Sequence, residues 1–141
     1  MDWFNNTLFI ITGDHPGYGL SPEYNDYDGW YRTPMIIYDP SSNQTIHSQD
    51  IVQQIDLMPT LLDYWGMDET CVCFGNSLFQ RPANNHGYQI VYGNGFYVLN
   101  YDKGPAIIEG TKTEIGDADH IKLLKAILQQ YNQRLIENKL Q

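Results

Sequence analysis

Basic residues are scarce in this sequence: 8 Lys and Arg stand against 17 Asp and Glu, for a formal net charge of −9. A surface that tracks phosphates needs clustered cations, so the composition argues against nucleic acid as a partner. The acidic excess mostly serves solubility. Long apolar runs are missing as well. None approaches the roughly 18 residues that a membrane-spanning helix requires, and the opening Met1-Asp2-Trp3-Phe4-Asn5-Asn6-Thr7 has no basic start of a signal peptide. Cysteine is reduced to Cys71 and Cys73. One pair is too few for a zinc knuckle, and a separation of two residues is too short for an easy disulfide. The expected role is that of structural or incidental thiols, which leave the redox compartment open.

What is present is the apolar content of an ordinary globular chain of 141 residues, with 11 tyrosines suited to packed sheets. Thr7-Leu8-Phe9-Ile10-Ile11-Thr12 reads as a strand buried on both faces, stopped by Gly13. Residues 13–33, rich in Gly, Asp and Tyr, read as a long loop of the kind that carries function. Pro34 opens a second buried strand that closes at Asp39-Pro40. Asp56 can cap a helix that has Pro59 in its first turn and Gly66 as its stop. From about residue 67 the pattern alternates, with turn signals at Gly93-Asn94-Gly95 and Asp102-Lys103-Gly104. This predicts an antiparallel meander with strands near 88–93, 96–101 and 105–109. The last segment predicts a long amphipathic helix, capped by Asp117 or Asp119, whose stripe of Leu124, Ile127, Leu128, Tyr131 and Leu135 covers the meander.

Chemistry concentrates at Gly13-Asp14-His15, where a rigid strand delivers a carboxylate and an imidazole to a sheet edge. Such a pair suits Zn²⁺ or Mn²⁺. Taken alone it is weak evidence for a metal, since it also describes an Asp in a turn beside a surface histidine. The surrounding blocks narrow the choice. Trp3 to His15, then Thr33 to Pro40, then Ser48 to Gly66, resembles the second half of the sulfatase-like branch of the alkaline phosphatase superfamily. The look is closest to lipoteichoic acid synthase and phosphoglycerol transferase proteins. In that family a strand ends in T-G-D-H, a later strand begins with proline, and a helix opens D-x-x-P-T-L-L and closes on glycine. Phe74-Gly75-Asn76-Ser77-Leu78-Phe79 looks like the short segment that follows that helix.

An α/β fold is expected: the resemblance implies residues 1–66 as the end of an alkaline-phosphatase-like mixed sheet, and the alternating pattern and final helix make 67–141 a small α+β unit with an antiparallel sheet and the long C-terminal helix. It implies that Asp14 and His15 are metal ligands, with Mn²⁺ the expected ion and Zn²⁺ or Mg²⁺ the alternatives. The metal would serve a threonine nucleophile in transfer or hydrolysis of phosphate or sulfate esters. Arg32 is a candidate contact for the ester oxygens. The family's nucleophile and remaining acidic ligand precede this strand, and Thr7, Thr12, Thr33 and Thr60 do not match the nucleophile's position. The chain is therefore expected to be a soluble C-terminal portion, inactive alone and a weak metal binder. Its partner would be the N-terminal half of the catalytic domain, in a parent anchored to a membrane with that domain outside the cytoplasm. Sheet edges left open could drive dimerisation. The competing reading is a non-catalytic binding or assembly module.

Other constellations are weaker. Asn25 to Gly29 hints at a calcium loop, but Tyr24 and Met35 stand where ligands are needed. His47, His86 and His120 read as solvated, and Trp30 and Tyr31 as groove or loop anchors.

Overall fold

A computed structural model describes residues 1, 3–17, 21–25, 29–42, 49–68, 71–81, 87–93, 95–101, 104–110 and 113–140. The backbone forms two compact units, Met1–Ser48 and Gln49–Gln141. Both are built on antiparallel sheets, and the whole is mixed α/β as the sequence predicts.

The first unit pairs β1 (Phe9–Thr12) with β2 (Met35–Tyr38), with Phe9 opposite Tyr38 and Thr12 opposite Met35. Turns of 3-10 helix at Phe4–Asn6, Pro22–Tyr24 and Gly29–Tyr31 complete the described part of this unit. Rings of Trp3, Phe4, Phe9 and Tyr38 cluster at one end, with centroids 5.5 Å apart for Phe4–Phe9 and 6.0 Å for Phe9–Tyr38. The expectation of strands buried on both faces is not met within this unit. Ile10 and Ile37 share one face, Ile11 and Ile36 the other, and all four are exposed, the second pair by 57% and 51%. A two-stranded sheet has no second layer of its own to cover either face.

The second unit begins with a 3-10 turn, Gln54–Asp56, that runs into α1 (Leu57–Tyr64). Gly66 ends this helix at φ 62°, with its N–H on the Asp63 carbonyl (3.0 Å) and Met67 N–H on that of Leu62 (2.9 Å). This is a Schellman closure, and glycine takes that φ at no steric cost. The meander follows as β3 (Gln89–Gly93), β4 (Phe96–Asn100), β5 (Ala106–Glu109) and β6 (Thr113–Ile115), hydrogen-bonded in chain order. Strand period two places Ile90, Leu99 and Ala106 in one row across the first three strands.

Against that face lies α2 (Ala118–Ile136). Leu99, Ala106, Ile108, Ile121 and Leu124 form the core, flanked by Ile90, Tyr97, Tyr101, Ile127 and Leu128. The stripe expected on α2 is thus covered at its first half only; Tyr131 and Leu135 are exposed. Asp117 is the cap, accepting from the N–H of Asp119 (3.0 Å) and of His120 (3.3 Å). His120, expected in solvent, stacks on Tyr101 with centroids 3.5 Å apart and planes 11° off parallel. Its Nδ1 lies 2.9 Å from Asp117 Oδ1.

That contact with the His120 ring, ahead of the two backbone N–H groups, holds the Asp117 carboxyl below its usual range. The unfolded carboxyl takes up its proton near about pH 4. A depressed folded value means the cap's stabilisation is fully present above that pH and is lost as pH falls through the folded value. Asp117→Asn keeps a capping oxygen without a titrating group. Circular dichroism on acidification is expected to show the start of α2 fraying in the wild type, while the variant loses this component of the acid transition. Identical acid transitions would refute the assignment.

Candidate functional site

The end of β1 is also the start of β2, because the strands run antiparallel. Gly13, Asp14 and His15 therefore leave the sheet at the end where Arg32, Thr33 and Pro34 enter it. The approach at Gly13 is close: a Cβ built there would lie 3.4 Å from Thr33 Cγ2. Asp14 turns back on its own chain, its Oδ1 accepting from His15 N–H at 2.9 Å. His15 Nδ1 lies 3.0 Å from the Pro16 carbonyl oxygen. A carbonyl can only accept, so this contact calls for the proton on Nδ1, and in the neutral ring the lone pair is then on Nε2.

That Nε2 is 3.6 Å from Asp14 Oδ2. The two side chains converge, and both are open to solvent, 63% for His15 and 88% for Asp14. Bonds of about 2.1 Å to one ion, at roughly tetrahedral to octahedral angles, span about 3.0–3.4 Å between donors. The pair is within a small rotation of that span. A histidine that donates its other N–H to a carbonyl is also the usual form of a metal-ligating imidazole. Among the described residues, no group of three or more His, Cys, Asp or Glu side chains gathers around any one point. Arg32 is exposed, and its N–H closes the Gly29–Tyr31 turn onto Gly29 O (3.1 Å). Trp30 and Tyr31, in the same turn, are exposed as well.

The other concentration of charge is buried and lies in the second unit. Asp56 is 1% exposed. Its Oδ2 accepts from Gln53 N–H (2.9 Å) and from the Arg81 guanidinium (3.3 Å), and its Oδ1 accepts from Asn76 N–H (2.8 Å). Arg81 also donates to Ile51 O (2.8 Å). Thr60 donates to Asp56 O (2.6 Å) and accepts from Leu78 N–H (3.1 Å). The Gln53 side-chain amide continues the network to β3, donating to Tyr88 O and accepting from Ile90 N–H, each at 2.8 Å. A carboxylate so fully occupied positions loops and has no oxygen left for a substrate.

The expected cap at Asp56 is thus corrected in kind. Its side chain makes no bond to α1 and instead reaches back to Gln53 and across to Asn76 and Arg81. Nothing in the spacing of Arg81 announced it as the partner. Two glycines are the local signals: a Cβ at Gly75 would come within 2.2 Å of Ile55 O, and one at Gly87 within 2.3 Å of Ile51 O and 2.6 Å of Arg81 Nη1, so only glycine admits these approaches.

Cys71 and Cys73 are free thiols, yet their sulfurs lie 2.7 Å apart. The proposed calcium loop, His47 and His86 lie partly or wholly outside the described residues. No helix among the described residues is long and apolar enough to cross a membrane.

No curated protein and no solved structure matches the chain. A family model described as Sulfatase does match, over residues 3–67. The segment holding Asp14, His15, Arg32 and the helix from Leu57 to Tyr64 is therefore sulfatase-like.

Proposed function

We propose that these 141 residues serve a metal-dependent enzyme that transfers or hydrolyses phosphate or sulfate esters, in the phosphoglycerol transferase branch of the sulfatase-like proteins. The observation that carries this reading is the convergence of Asp14 Oδ2 and His15 Nε2 at the tip of β1, inside the sulfatase-like segment. In this reading Asp14 supplies a negative charge and His15 a neutral nitrogen to one divalent cation; the resemblance favours Mn²⁺, while Zn²⁺ binds such an N/O pair more tightly and Mg²⁺ prefers oxygen alone. Such an ion, when bound, withdraws charge from the ester oxygens and activates a hydroxyl nucleophile. Arg32, at the same sheet end, offers a planar guanidinium that fits two oxygens of a phosphate or sulfate group.

Two ligands make half a tetrahedral shell, so the reading needs further groups from protein outside this chain. The exposed faces of β1 and β2 support that requirement. Four isoleucines open to water on both sides of a pair of strands fit the interior of a larger sheet better than a free surface. In this reading residues 1–66 contribute to a catalytic α/β layer and 67–141 form the smaller unit; the family match ends at residue 67, whereas the compact backbone units divide after Ser48. Without that layer the same strands present edges to a second copy. The resemblance to the phosphoglycerol transferase branch would place this site in a membrane-anchored parent with its catalytic domain outside the cytoplasm.

The test is a Mn²⁺ titration of this chain, followed by water-proton relaxation, beside a longer protein that supplies the layer. The chain alone is expected to bind at roughly millimolar Kd, about −4 kcal/mol, and Asp14→Ala/His15→Ala to abolish that binding. In the longer protein either single substitution should reduce turnover of phosphate or sulfate esters by more than the 10–100-fold typical of losing an outer-shell partner. Unchanged Mn²⁺ affinity in the double variant would refute the site. A binding module without chemistry would show neither effect.

A further inference from the structure

The geometry points to Cys71 and Cys73 as a redox-active dithiol that closes to a disulfide by exchange with a low-molecular-weight disulfide such as oxidised glutathione. The two positions differ in their surroundings. Cys71 is exposed, while Cys73 is partly buried and precedes a tethered residue. The Phe74 carbonyl accepts from Tyr88 Oη at 3.2 Å, and the Phe74 ring meets that of Tyr131 edge-on at 5.9 Å. Cys73 is thus held by the 49–141 unit, with Cys71 on its solvent side.

The distance decides between the two usual tasks of a thiol pair. Two Zn–S bonds of about 2.3 Å at a tetrahedral angle hold the sulfurs roughly 3.8 Å apart. A disulfide holds them at about 2.05 Å. The observed 2.7 Å lies nearer the bond than the chelate. Among the described residues no third ligand of the His, Cys, Asp or Glu type joins them to complete a metal shell. A two-residue separation, which from sequence argued against an easy disulfide, therefore does not keep the sulfurs apart.

The environments also assign the roles. Burial first, then the hydrogen bond and charge of Cys71, push the Cys73 thiol up to about 11, which keeps it protonated at neutral pH. Cys71, open to solvent, is the sulfur that a small disulfide can reach. Its thiolate attacks one sulfur of the small disulfide, forming a mixed disulfide and expelling one thiolate. Cys73 loses its proton as it attacks Cys71 Sγ, the ring closes, and the second small thiolate leaves. The protein gives up two electrons and two protons, and the small disulfide is reduced to two thiols. The product is a tight, exposed ring, the type that thiols reopen readily.

The test treats the full chain with oxidised glutathione, blocks remaining thiols by alkylation and weighs the intact protein. The expected product is lighter by two hydrogens, unalkylated, and returns to the dithiol with dithiothreitol. Cys73→Ser should stop at a single glutathione adduct on Cys71, and Cys71→Ser should react at least about tenfold more slowly. Two adducts on one wild-type chain with no closed product would overturn the proposal. So would stoichiometric zinc that survives desalting, protects both thiols and prevents closure, since that marks a cation site. The wild-type mass alone decides between closure and independent thiols, whatever the folding of the serine variants.

Discussion

Asp56→Ala is expected to cost the 49–141 unit about 3–5 kcal/mol, the range found when one partner of a buried ion pair is removed. Stability of a domain is only about 5–15 kcal/mol, so this loss is a large fraction of it. The size follows from what is left behind. The Arg81 side chain is 7% exposed and would lose the only carboxylate recorded beside it among the described residues. The N–H groups of Gln53 and Asn76 would lose their acceptor in the same step. A buried donor stripped of its partner bears the whole desolvation cost. Arg81→Met should be costly too, and the double variant Asp56→Ala/Arg81→Met should lose clearly less than the two single losses added, because the charges are removed together. Urea unfolding followed by circular dichroism measures all of these. A loss below about 1 kcal/mol for Asp56→Ala would mean that water reaches the pair and that it counts as a surface bridge.

Leu124→Ala should cost about 2–5 kcal/mol, the usual range for a buried leucine cut back to alanine. Leu124 has no exposed surface and packs with Leu99, Ala106, Ile108 and Ile121 between α2 and the meander. Its neighbours sit on a hydrogen-bonded sheet and cannot collapse fully into the space. Leu135→Ala, on the same helical stripe but 53% exposed, should change stability by no more than about 0.5 kcal/mol. Equal effects at the two positions would contradict the placement of α2. The contrast matters because periodicity alone puts both leucines on one apolar face.

That pair shows where sequence reasoning reaches its limit. Element type was legible: the β-branched runs became β1 and β2, the glycine turns bounded β3, β4 and β5, and Asp117 and Gly66 capped the helices as expected. Each of these rests on contacts within a few residues, which spacing alone specifies. The motif ending in Asp14 and His15 was legible for the same reason, since adjacent residues on a short turn can converge without help from elsewhere. Burial was not legible. Thr7 to Thr12 looks like an interior strand, yet among the described residues Ile10, Ile11 and Thr12 stay exposed while only Thr7 to Phe9 are half-buried. The ends of one helical stripe fare differently because the sheet beneath α2 is short.

By itself, then, the amino-acid order determined which segments bend, extend or coil, and which residue types meet at the tip of β1. Only the tertiary structure decided that Asp56 would find Arg81 across 25 residues, that Asn76 and Gln53 would share the same carboxylate, and that the Cys71 and Cys73 sulfurs would nearly touch. The physical reason is range. Caps, turns and strand runs are settled by neighbours in sequence. The partner of a buried charge is settled by which distant loops pack together, and close approaches such as Gly75 on Ile55 and Gly87 on Arg81 are its trace in the chain.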